Sequence, residues 1–193
     1  MDASKKIVLE TARKIRKLEI QGSSKVRKAV VNALRTSVER SKAKSAEELR
    51  EELKKNMLVL VSARPTEPET RTALRVILRA AHRHLPLSEL KEEIIKACIE
   101  YEKNRKKAMQ KIAELGSEAL KDCCIIFTHC HSHTVEEILK KMHEKGYLKA
   151  VICTETRPRY QGRITARQLT KAGIDCTMTV SYTHLRAHET RHD

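Results

Sequence analysis

The chain changes its periodicity once, near Asp122, and that change constrains its architecture more than any other feature. Before it, apolar residues recur at the spacing of one helical face in five successive segments. The first carries Ile7, Val8, Ala12, Ile15 and Leu18 over residues 3–20. The next three carry Val26, Val30, Ala33, Leu34 and Val38; Leu49, Leu53, Met57 and Leu60; and Ala73, Leu74, Ile77, Leu78 and Ala81. A long fifth segment starts near Ser88, beyond the helix-breaking Pro86, and runs through Leu90, Ile94, Cys98, Tyr101, Met109 and Leu115 to Gly116, a C-terminal stop signal. After Asp122, short apolar runs ending near Thr128, over 150–153 and over 175–180 alternate with helical patterns over 134–145 and 165–172. Strand, helix, strand, helix, strand is the pattern of a parallel sheet. The expectation is an α/β protein with a helical domain over 1–116 and a sheet domain over 117–180.

The punctuation supports this division. In Gln21-Gly22-Ser23-Ser24 the glycine permits a turn and a serine can cap the second helix; Ser45-Ala46-Glu47-Glu48 fits a capping box. Pro65 and Pro68 end the third helix and hold Arg64 on a stiff loop. That arginine reads equally as an incidental part of a helix connection or as a grip for phosphate.

Chemistry concentrates where the first strand ends, at Thr128-His129-Cys130-His131-Ser132-His133-Thr134. A buried strand running into polar residues before a helix places them at the carboxyl edge of the sheet, where α/β folds bind ligands. The helix N-terminus suits a phosphate and favours a reactive cysteine, so Cys130 is the candidate reactive residue. The second strand runs into Thr154-Glu155-Thr156-Arg157-Pro158-Arg159-Tyr160-Gln161-Gly162-Arg163 on the same edge, which lets Cys130, Arg157 and Gln161 converge.

Composition narrows the partners. The formal charge is +15, from 40 Lys and Arg against 25 Asp and Glu, which permits a nucleic acid or a phosphorylated small molecule. The basic residues are spread along the helices among glutamates, as on solvated faces, and no nucleic-acid motif accompanies them. Aromatics make up 3% and tryptophan is absent, too few rings for a base-stacking platform. Six cysteines at irregular spacing, with no secretory signal and no apolar run of about eighteen residues, point to a reducing, cytoplasmic setting without a membrane span. Cys98, Cys123, Cys153 and Cys176 lie in apolar stretches and read as small core residues. His129, His131 and His133 alternate as strand ligands of a metal could, but a helix beginning near His133 and the lack of an evident carboxylate ligand favour no metal.

With both loops in view, the sequence resembles the family of the α, β and δ subunits of eukaryotic initiation factor two B, which includes archaeal ribose-1,5-bisphosphate isomerase and methylthioribose-1-phosphate isomerase. The resemblance spans residues 7–180 and rests on Thr128-His129-Cys130, Thr154-Glu155-Thr156-Arg157-Pro158 with Gln161-Gly162, Arg64-Pro65-Thr66 and Glu19-Ile20-Gln21-Gly22. It implies an N-terminal helical domain followed by a Rossmann-like domain. It also implies aldose–ketose isomerisation of ribose 1,5-bisphosphate in nucleotide salvage, without a cofactor, in a homo-oligomer. Cys130 would be the proton acceptor, and Gly22, Ser23, Arg64, Ser132, His133, Thr134 and Gln161 would line the substrate site. The alternative it implies is a regulatory subunit that binds a phosphorylated sugar or nucleotide and contacts a translation initiation factor.

Two departures stand out. Gln21 occupies a position where isomerases of this family usually carry arginine. The catalytic aspartate expected after the third strand is not found, because the chain leaves the family pattern at Val180. The segment 181–193 has no useful apolar face and looks like a translated sequencing adapter. It is expected to be foreign, with the histidine spacing of His184, His188 and His192 an accident and Asp193 no substitute for the missing acid. A sheet cut after three strands exposes apolar edge and faces and is expected to be poorly soluble or unstable.

Overall fold

The computed structural model describes residues 3–180; the adapter-like stretch 181–193 lies outside the described residues. The chain divides into two compact units between Arg105 and Lys106.

The first unit is helical: α1 Ala3–Arg16, α2 Ser23–Glu39, α3 Ala46–Ala63, α4 Pro68–Ala81 and the start of α5 Leu87–Ala119. Its core takes the expected stripes, with Val8, Ala12 and Ile15 against Val30, Leu34, Leu49, Leu53, Leu60, Leu74, Ile77, Leu90 and Ile94. Each fully buried valine, leucine or isoleucine side chain contributes on the order of 1.5–3 kcal/mol of transfer free energy. Ser45 caps α3 by accepting from the Glu48 N–H at 3.1 Å, while Glu48 reaches back to the Lys44 N–H at 2.8 Å, one residue before the cap.

Two local expectations are corrected. α1 stops at Arg16 rather than near residue 20, because Leu18 turns into the left-handed region (φ 60°) and the Gln21 amide closes the turn on the Leu18 carbonyl at 2.7 Å. Serine does not cap α2. Gly22 (φ 86°) stands at that position, and the Ser23 hydroxyl is turned to Glu67 and Glu69 at 2.7 and 2.6 Å.

The second unit contains β1 Ile125–Thr128, α6 His133–Glu144, β2 Ala150–Thr154, α7 Gly162–Lys171 and β3 Cys176–Thr179. The strands are parallel in the order β1-β2-β3, with Ile126 opposite Val151 and Val151 opposite Cys176. Leu139 and Met142 of α6 and Ala166 and Leu169 of α7 pack on Val151 and Cys153, together with Leu148 and Ile174. This is the Rossmann-like arrangement expected, with both loops of interest at the carboxyl ends of β1 and β2.

Three details differ from expectation. β1 is not buried: it is an edge strand among the described residues, and Ile125 and Phe127 are 61% and 46% exposed. Cys123, just before it, is exposed, and Cys176 is half-buried. Gly116 does not stop α5, which continues to Ala119; a Cβ there would lie 2.8 Å from Ile138 Cδ1, so the glycine serves packing against α6. No described helix is long and apolar enough to cross a membrane.

Candidate active site

Cys130 sits one residue past His129 at the end of β1 with φ 68°, a left-handed conformation that costs a non-glycine residue about 1 kcal/mol or more. Its surroundings hold it there. The Cys130 N–H donates to Thr156 Oγ1 at 3.0 Å, its carbonyl accepts from Thr165 Oγ1 at 2.9 Å, and its thiol donates to Gln161 Oε1 at 3.1 Å. Thr156 follows β2, Gln161 stands at the N-cap position of α7, and Thr165 lies in the helix's first turn. Thr156 and Tyr160 are left-handed as well, at 61° and 52°.

Close approach of the second loop to β2 depends on Gly162. A Cβ at that position would fall 1.6 Å from the Thr154 carbonyl oxygen, so only glycine lets α7 start against the end of the strand.

The histidines are divided among different partners. His129 Nδ1 lies 2.6 Å from Thr154 Oγ1, and His131 Nδ1 lies 3.0 Å from Thr165 Oγ1. His133 opens α6 and stands with Glu136 and Glu137 in a group whose potential ligand atoms fall within 4.8 Å. Lys140 is bonded to both carboxylates, at 2.6 and 3.2 Å, and supplies the positive charge there. Ser132 caps α6, accepting the Val135 N–H at 3.4 Å. Thr134 belongs to the first turn, where helical N–H groups have no intrahelical partner and suit an anion.

Arg157 is turned to Glu155 at 3.3 Å and lies over the Tyr160 ring, whereas Cys130 and Gln161 meet directly. Glu155 is held below the usual carboxylate range by its hydrogen bond from Arg163, with burial opposing and Arg157 adding to the effect. A groove of about 750 Å³ runs elsewhere, along Arg163, Ala166, Arg167, Thr170, Lys171, Cys176 and Met178.

In the first unit, Arg64 caps α3 with its guanidinium 3.6 Å from Glu67, which is 6% exposed. Glu67 thereby joins Arg64 to Ser23, with Gly22 preceding it in the turn. Glu69 receives Arg27 and Arg105 as well as Ser23. Sequence reasoning named Gly22, Ser23 and Arg64 but not Glu67, whose place between two prolines gave no sign of burial. It quoted Thr154 and Thr156 in the loop motif but gave no role to their hydroxyls or to that of Thr165, whose partners are distant in sequence.

A parallel sheet with a cysteine pinned at its carboxyl edge, following a helical unit, is the two-part α/β architecture anticipated from the motifs. The chain belongs to the initiation factor 2 subunit family, whose pattern matches residues 19–183. Curated relatives include the ribose 1,5-bisphosphate isomerases of Pyrococcus furiosus and Thermococcus kodakarensis. The first is 39% identical over 171 residues, covering 86% of this chain and 53% of the relative; the second is 38% identical, covering 88% and 54%. Among solved structures, 5-methylthioribose 1-phosphate isomerase from Pyrococcus horikoshii OT3 matches with TM-score 0.83 and 26% identity, over 93% of this chain and 53% of that one. The translation initiation factor eIF-2B subunit delta from A. fulgidus matches with TM-score 0.75 and 27% identity, over 90% and 54%. The chain thus spans about half the length of these relatives.

Proposed function

We propose that the protein is a cytoplasmic ribose-1,5-bisphosphate isomerase in which Cys130 accepts the proton that moves between adjacent sugar carbons. The observation that carries this reading is the thiol itself, fixed in a left-handed turn and bonded to Gln161 at the sheet edge where such folds bind ligands. Aldose–ketose interchange needs an acid/base group beside the carbon and fixed donors for phosphate, and no redox cofactor enters the balance. In this reading a phosphate is held at the N-terminus of α6, by Ser132, His133 and Thr134. The second acid/base group is the aspartate expected after the third strand in the family, so the assay belongs to the full-length product in its homo-oligomeric form. That product is expected to convert ribose 1,5-bisphosphate to its ketose and to leave 5-methylthioribose 1-phosphate unchanged. The reverse preference, or no ketose from either sugar, would contradict the assignment.

One observation favours a regulatory reading. By the resemblance, Gln21 stands where isomerases of this family usually carry arginine, and its amide is spent on the Leu18 carbonyl. A subunit that binds a phosphorylated sugar or nucleotide without turning it over would retain initiation factor two in a pull-down and titrate with such a ligand; failure to retain it counts against this alternative.

A further inference from the structure

We propose that Thr165 is a positioning residue that aims Cys130 by gripping two consecutive residues of the strand-end turn, and that it fixes His131 as the Nδ1–H tautomer. The inference rests on reading Cys130 as the working thiol, but its geometry stands apart from any turnover.

Thr165 is 1% exposed, on the first turn of α7, and its hydroxyl has a single proton. The Cys130 carbonyl, 2.9 Å away, can only accept, so that proton is committed to it. The Thr165 oxygen therefore receives, rather than gives, the hydrogen bond to His131 Nδ1 at 3.0 Å, and the neutral His131 ring carries its proton on Nδ1. Thr156 completes the clamp from the other side by accepting the Cys130 N–H. All three polar groups of Cys130 are thus held by the loop after β2 and the start of α7, which explains how a cysteine persists at φ 68°. Valine has the shape of threonine without the hydroxyl, and serine keeps the hydroxyl, so the two substitutions separate shape from hydrogen bonding.

The test uses the 193-residue chain. Two-bond proton–nitrogen NMR of ¹⁵N-histidine protein, with His131 assigned by loss of its signals in His131→Asn, should show Nδ1–H at a pH where the ring is neutral. Iodoacetamide labelling followed by peptide mass spectrometry, with exposed Cys123 and Cys124 as internal references, should show Cys130 reacting about threefold faster or more in Thr165→Val, where the released turn carries the thiol away from Gln161. Thr165→Ser should stay within about twofold of wild type. A wild-type His131 protonated on Nε2, or unchanged Cys130 labelling in a folded Thr165→Val, overturns the proposal. Should Thr165→Val not fold, the wild-type tautomer and the serine variant still decide. Because no readout uses turnover, an intact clamp in a protein that makes no ketose would defeat the isomerase reading alone.

Discussion

At the residue scale the site is built by exclusion as much as by attraction. Gly162 is required because a side chain there would overlap the Thr154 carbonyl, and backbone cannot yield as a flexible side chain can. Gly162→Ala is expected to destabilise the protein by about 3 kcal/mol, read as a lowered urea midpoint; an unchanged midpoint would show that α7 can start farther from β2. Cys130 and Gln161 were legible as letters because thiol and amide at strand ends are chemically conspicuous. The threonines that hold them were not, because their roles come from which strand end faces which helix start, and that is settled only by the register of β1 on β2.

At the element scale, periodicity located each helix and strand of the described residues, while their ends followed interactions that periodicity does not carry. Ser45 was readable as a cap because its partner lies three residues on. Ser45→Ala should cost about 1 kcal/mol in thermal or urea unfolding. Ser23 was misread because its partners, Glu67 and Glu69, are distant in sequence. Gly116 misled in the same way: its meaning lies in Ile138, whose Cδ1, Cγ1 and Cγ2 would sit 2.8, 2.9 and 3.1 Å from an added Cβ. Gly116→Ala and Ile138→Ala should therefore be non-additive, the double variant being more stable than the sum of the singles by about 1 kcal/mol. Strict additivity in a double-mutant cycle would show that the two do not meet.

At the scale of the whole molecule, charge rather than size sets the sensitivity to conditions. Burial pushes Glu69 upward, but the Ser23 hydroxyl and the Arg105 and Arg27 guanidiniums outweigh it, and the carboxyl titrates below the ordinary value of 4.5. A lowered folded pKa contributes stability above the unfolded value and loses it as pH falls toward the folded one. Acid should therefore weaken the helical unit from about pH 4.5 downward, and Glu69→Gln should flatten that limb of the unfolding profile. An identical acid limb in Glu69→Gln would remove this carboxylate from the explanation.

The succession of helical elements followed by a parallel sheet, and the family, were both legible in the sequence. The most direct measurement is the initial rate of ribulose 1,5-bisphosphate formation from ribose 1,5-bisphosphate by the full-length protein and its Cys130→Ala variant. Measurable ketose is expected from the first and a loss of about 100-fold or more in the second, with ligand binding retained. Equal rates in the two proteins would contradict this expectation.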